Sequence, residues 1–439
     1  MAVLSDIHEY ILDLIENELG PGAKLPGARS IAEKFSCSLP RVQTVLDLLE
    51  ESGVVASRPR SGTYVNTDYK ERLLVRNVVC SKFRSALSDE QRRLFRKKFP
   101  ELHLTGAFHG GGVEILSSFT ALTRRHLYQD LSGIFEECFP DCKKRFYMEA
   151  LSPFCMEGRL FAVPIMFSPQ ILWFNPELFR QAGAALPENS WGRREFFAAL
   201  RQLRKTFSGR RIINYSPHFQ QWSRFVHASG AFFFDPALPE PVQADSPETI
   251  RACLKYLEVL RELDLAVDYD PDPLKSFSEG RLALFSGFRQ SAYHFKECGI
   301  RFTPGAVLMP DLGAGEKQLG AALIGFRSNF ADREKIRELL RFWLSDSIQE
   351  TLGISGYGVP FLRSAAQKTL DPSGEPDRFL LEKIPPLNAH CHIPSEELGN
   401  ILLRSSTLIN STTPEELPGL LRELATTMRF IHKIRNQTI

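Results

Sequence analysis

Seven residues near the start of the chain carry side chains suited to gripping a nucleic acid: Arg29, Arg41, Gln43, Thr44, Arg58, Arg60 and Gly62. Arg41 and Gln43 can each make paired hydrogen bonds to a base edge. Arg29, Arg58 and Arg60 suit phosphates, Thr44 offers a hydroxyl, and Gly62 lets the chain turn close to a ligand's backbone. Residues for other chemistries are present but not in working patterns. The cysteines, Cys37, Cys80, Cys138, Cys142, Cys155, Cys253, Cys298 and Cys391, are too sparse for a disulfide scaffold and read as reduced thiols. Cys138 and Cys142, with His390-Cys391-His392, lack the close paired spacing of a zinc module, so no metal is expected. Gly110-Gly111-Gly112 lacks the lysine and flanking elements of a phosphate loop. No catalytic residue is assigned, no cofactor is expected, and the chain reads as a non-enzyme.

Three helices and a hairpin must position the first group. Ile7, Tyr10, Ile11, Leu14, Ile15 and Leu19 recur at helical spacing, with Asp6 and Glu9 placed as a reciprocal cap, and Gly20-Pro21-Gly22 ends the run. A short helix is expected over 29–35 and a third from Ser38, burying Val42, Val45, Leu46 and Leu49. Its outward positions are Leu39, Pro40, Arg41, Gln43, Thr44 and Asp47. Strands at Val54-Val55 and Thr63–Val65 flank a basic turn from Arg58 to Gly62. Such a unit can put its third helix in the major groove while the hairpin reaches phosphates or the minor groove.

At 439 residues, 43% hydrophobic and 24% charged, the chain is longer than one ordinary domain, and no apolar run is long enough to cross a bilayer. Asp6, Glu9 and Asp13 stand where a secretory signal would be basic and then apolar, which points to the cytoplasm and away from a membrane. The net charge is only +2, so a nucleic-acid surface must be local. Within residues 1–69 the bases Lys24, Arg29, Lys34, Arg41, Arg58 and Arg60 are outnumbered by acids, yet all six lie in the helix-turn-helix or the wing. A further basic run, Arg92-Arg93 and Arg96-Lys97-Lys98, interleaves with Leu94, Phe95 and Phe99 and reads as a helix with a solvated face.

The stretch LPGARSIAEKFSCSLPRVQTVLDLLEESGVVASRPRSGTYV resembles the GntR-family winged helix. Leu25, Pro26, Arg29, Ser38, Val42, Arg58, Pro59, Gly62, Thr63 and Val65 match its pattern in order and spacing, and the resemblance adds Ser38 to the candidate DNA contacts. Leu39 and Gln43 stand where many members carry arginine, so the usual base contacts do not transfer directly.

Beyond a polar connection near 66–72, strand-like runs alternate with helical patterns, the mark of an α/β region. Strands are expected at 74–79, 102–107, 161–165 and 171–174, and helices at 88–98, 193–205, 247–263 and 333–345. From Gly158 to Leu203, Val163, Pro164, Asn175, Leu178, Phe179, Ala182, Gly183, Pro187 and Trp191 resemble family 1 extracellular solute-binding proteins of the maltose-binding type. Phe277–Leu284 and the segments Met309-Pro310 and Gly356–Pro360 continue the likeness. It implies a multidomain chain: an α+β winged helix over 1–69, then a two-lobed α/β periplasmic-binding-protein-like (type II) domain over 70–439 with a helical C-terminal segment. Carried onto this sequence, it puts Phe167, Ser168, Trp173, Gln221, Trp222, Phe288, Arg289 and Tyr357 at a cleft between lobes, where aromatic faces would suit sugar rings. Arg289 would meet an acidic substituent or pair with a surface acid, and Trp191 is assigned to packing. The combined resemblance implies a homodimeric regulator that binds a palindromic double-stranded DNA operator and senses a small molecule, a carbohydrate by the family's habit. Two alternatives stay open at this stage: a pyridoxal-phosphate aminotransferase-like domain, for which Lys275 and Lys317 lack the Schiff-base setting, and a transport binding protein.

Overall fold

The computed structural model describes residues 4–51, 53–69, 77–80, 89–99, 102–105, 112–156, 158–208, 211–214, 219–235, 238–265, 270, 272–389 and 395–437. The chain divides into two compact units: Met1–Leu116 with Leu127–Gln129 and Ile324–Glu338, and Ser117–His126 with Asp130–Leu323 and Leu339–Ile439.

In the first unit, helices α1 (Leu4–Asn17), α2 (Ala28–Lys34) and α3 (Leu39–Glu51) precede the antiparallel strands β1 (Val55–Arg58) and β2 (Gly62–Val65). The helical spacing of Ile7, Ile11 and Ile15 on α1 and of Val42, Val45 and Leu49 on α3 gathers these residues with Ile31, Val54, Val55 and Val65 into one sealed core. Helix α1 begins at Leu4, so position 6, expected at its cap, lies within the helix. Farther on, β3 (Asn77–Cys80) pairs in parallel with β4 (His103–Thr105) and β5 (Val113–Ser117). Helix α4 (Asp89–Lys98) buries Phe95 and sets it beside buried Phe99, while Arg93, Lys97 and Lys98 are exposed. Buried Glu114 on β5 is tied to half-buried Arg327 at 2.6 Å and to the buried Tyr128 hydroxyl. The expected strands over 74–79 and 102–107 fall partly outside the described residues, as does His390-Cys391-His392. Among the described residues no histidine, cysteine and acid cluster could hold a metal.

Strands of the second unit that bear on the site lie in two sheets. Strand β6 (Val163–Pro169), buried along its whole length, pairs antiparallel with β11 (Val359–Pro360), and the same sheet holds β10 (Lys317–Phe326) beside β6. In the other, β7 (Ile171–Phe174) is central between β8 (Leu284–Gly287) and β9 (Gly305–Leu308), both antiparallel to it. Continuous burial explains why β6 and β7 read as unbroken apolar runs and not as alternating ones. Around the β7 sheet lie helices Pro176–Ala182, Arg193–Thr206, α5 (Phe219–His227) and Pro247–Glu262. The Asn175 side chain caps the first of these, accepting from the Glu177 N–H at 2.9 Å, and Gly183 at φ 61° closes it. Helices α6 (Glu396–Ser411) and α7 (Leu417–Gln437) pack on the same helices: Ser406 accepts from Trp222, Asn410 from Tyr256, and Arg429 grips Asp245. The C-terminal segment is therefore part of this unit's core.

Candidate functional site

On the head, Arg29, Ser38, Gln43, Thr44, Arg58, Arg60 and Gly62 are exposed and Arg41 is half-buried. Helix α3 starts one residue after Ser38, whose carbonyl accepts the Arg41 N–H at 3.0 Å. Two side chains on α3 are already engaged: Gln43 donates to Asp47 at 2.8 Å, and the Thr44 hydroxyl donates to the Pro40 carbonyl at 3.0 Å. At the helix start Leu39 is 43% exposed, an apolar surface where arginine would otherwise offer donors. The wing turn holds Arg60 at φ 65° and Gly62 at φ 110°. A Cβ at Gly62 would meet only the movable end of the Lys24 side chain, at 2.9 Å, so it is the left-handed conformation that favours glycine there. Arg58 lies over the Tyr64 ring at 4.2 Å, a stack that presents its guanidinium on the wing.

In the second unit two chain crossings meet at Gln170. Between β6 and β7 its N–H donates to the Gln318 carbonyl at 2.8 Å, and its own carbonyl accepts the Met309 N–H at 3.0 Å on the return from β9. Its amide donates to the Ser286 hydroxyl at 2.7 Å. Asn214 secures the Ser286 backbone, accepting its N–H at 2.6 Å and donating to its carbonyl at 3.0 Å.

Beside this crossing is a buried polar brace. The Arg289 guanidinium forks onto Asp377 at 2.6 and 2.7 Å and donates to the Gly358 carbonyl at 2.8 Å, while its backbone N–H donates to Ser168 Oγ at 2.9 Å. Asp377 also accepts the Asp371 N–H at 3.0 Å, and both charged residues are buried. Arg289 thus meets an acid of its own chain in the interior, not one on the surface. The brace holds the 287–289 turn, the end of β6 and the 353–358 loop together.

The other sequence candidates separate by burial. Phe167 packs edge-on to Tyr147, Trp173 donates to the Phe288 carbonyl at 3.3 Å, and Trp222 stacks on Tyr256 and donates to Ser406 Oγ at 3.2 Å; each is about 1% exposed. Trp191 is buried too. Gln221 is in α5, but its side chain lies outside the described residues. Phe288 and Tyr357 alone remain half-buried aromatics. The Phe288 ring rests against Gly320, whose absent Cβ would stand 2.9 Å from it. Tyr357 packs on Tyr293 and His294, and the Glu297 carboxylate, accepting from the Tyr293 hydroxyl, holds that phenol above its usual range. Sequence reasoning missed Gln170, Asn214, Arg224, Ser286 and Gln318, polar residues with no motif around them.

Residues 117–376 match the family model described as bacterial extracellular solute-binding protein. The chain belongs to that family. Residues 5–65 match bacterial regulatory proteins of the gntR family, so a DNA-binding head is joined to a solute-binding domain. Solved structures share the fold of the latter. A solute-binding protein from Thermotoga lettingae bound with alpha-D-tagatose has a TM-score of 0.63 at 15% identity, covering 80% of this chain and 98% of that one. Maltose-bound MalE3 from T. maritima gives 0.61 at 15%, covering 81% and 99%. UgpB from Mycobacterium tuberculosis in complex with glycerophosphocholine gives 0.60 at 17%, covering 82% and 99%. The solute-binding match over 117–376 overturns the aminotransferase-like alternative, and both families consist of binding proteins. No helix of the described residues is long and apolar enough to cross a membrane.

Proposed function

We propose that the protein is a ligand-responsive transcription regulator of the cytoplasm, in which residues 1–69 bind a palindromic operator as a homodimer and residues 70–439 sense a carbohydrate. The observation that carries this reading is the union of a gntR-type head with a solute-binding domain in one chain. A transport binding protein has no use for such a head. Arg29, Arg58 and Arg60 would contact phosphates, Arg41 and Gln43 base edges, and Ser38 and Thr44 would add hydroxyls. Gln43 first has to share or leave Asp47. On the sensor, Phe288 and Tyr357 would offer ring faces to a sugar. Solved relatives in complexes with tagatose and maltose support this ligand class.

The test is a mobility shift of the full chain on the promoter DNA beside its own gene, across a salt series. Binding should weaken steeply with salt, and Arg58→Ala should both weaken it and flatten the salt slope by about one unit. Absence of salt-sensitive binding there sinks the regulator reading.

A further inference from the structure

We propose that the sensor takes a carbohydrate bearing a negatively charged substituent, and that Arg224 on α5 is the residue that receives the charge. This rests on the carbohydrate reading above and narrows it.

Two other cations of the described residues are matched with acids: buried Arg289 has Asp377, and half-buried Arg327 has Glu114. Arg224 is different. It is half-buried with its Nε sealed from solvent, and neither that nitrogen nor the rest of the guanidinium has a hydrogen-bond or ion-pair partner among the described residues. Its guanidinium carbon lies 5.4 Å from the centroid of the half-exposed Phe288 ring. Burial alone pulls this group down to about 10, with no carboxylate acting against it. An aromatic face attracts a cation but accepts none of its N–H bonds. A folded chain that buries an unmatched cation is set up to gain from an anion that arrives later.

A second unmatched group lies on the strand against which the ring packs. The side-chain amide of Gln318 on β10 has its Oε1 sealed and makes no hydrogen bond among the described residues. Alternation along the strand places Gln318 and Gly320 on one face of β10, and Gly320 is the residue against which Phe288 packs. Phe288 thus has an unsatisfied cation over its ring and packs on Gly320, two residues along the same strand face from Gln318, whose side-chain amide is unsatisfied and whose backbone carbonyl accepts the Gln170 N–H. A pyranose would lay its apolar side on the ring, offer a hydroxyl to Gln318, and turn a carboxylate or phosphate to Arg224.

The experiment is calorimetric titration of the full chain and of Arg224→Met with glucose, glucuronate and glucose 6-phosphate, with inorganic phosphate as a bare-anion probe. We expect one acidic sugar to bind the wild type at least tenfold more tightly than glucose, and Arg224→Met to erase that preference. The glucuronate and glucose 6-phosphate arms tell carboxylate from phosphate. Unliganded Arg224→Met should melt no lower than the wild type, since it removes an unmatched charge. A drop of several degrees would make Arg224 a structural residue and overturn the proposal. Glucose binding without an acidic preference overturns it and leaves the carbohydrate reading standing. Arg224-dependent phosphate binding with no sugar bound keeps the anion site and removes the carbohydrate. No binding of any of the four overturns both.

Discussion

The two arginines near Phe288 have opposite assignments once their surroundings are seen. Arg289 is fully spent on the brace, so removing it should leave Asp377 buried and unmatched. Arg289→Met is expected to cost about 3–5 kcal/mol in urea unfolding, the usual result of orphaning a buried ion. Pairing it with Asp377→Leu should recover part of that loss, and a double variant as unstable as the sum of the singles would argue against a private pair. Neither arginine's role was legible in sequence, where both appear as basic residues among aromatics. What separates them is an acid 88 residues away in one case and the lack of any in the other. The same holds for Trp222, whose hydrogen-bond partner Ser406 is 184 residues distant. Spacing does show that a side chain is aromatic and on a helix, but not whether its ring is used by the core or left for a ligand.

Elements were far more readable, because periodicity and capping act locally. Strand β7 coincides with the expected 171–174, and the long helices over 193–205, 247–263 and 333–345 end within two residues of expectation. The miss at the start of α1 has a local cause as well, since no stop signal precedes Asp6. The C-terminal helices are a case where the element was visible and its job was not. Arg429 of α7 makes a two-pronged contact with Asp245 at 2.7 and 3.0 Å, and this contact, chiefly its hydrogen bonding, holds the Asp245 carboxyl below its usual range. A carboxylate with a lowered folded pKa adds stability above its unfolded pKa of about 4, and loses it as pH falls through the folded value. Arg429→Ala should therefore cost about 1 kcal/mol at neutral pH, a discounted figure for a partly exposed pair. The difference from wild type should start to shrink below about pH 4, where Asp245 of the unfolded chain protonates, and disappear as pH falls through the lowered folded value. A cost that stays constant down to pH 2 would assign the effect to packing of the arginine stem.

For the whole molecule, the prediction concerns linkage between the two activities. If a sugar changes operator affinity by some factor, operator DNA must change sugar affinity by the same factor. Titrating the ligand with and without saturating operator should show this reciprocal shift, of about 5- to 150-fold for ordinary couplings. Equal affinities in both titrations would mean that ligand occupancy carries no message to the DNA. The size of any shift is limited by how differently the ligand suits the conformations available to the sensor.

Gln170 gives that limit a physical handle. Because one peptide unit's worth of polar atoms stitches the outgoing crossing at β6 and β7 to both neighbours, at Gln318 and at Met309, the connections between the two sheets form a single rung and not independent straps. If the sensor responds to a ligand as proposed, a rung of this kind would twist as one piece, and its stiffness would set the threshold for response separately from the groups that choose the ligand. Sensitivity and selectivity can then drift apart in evolution, the first by changes around Gln170 and the second around Phe288.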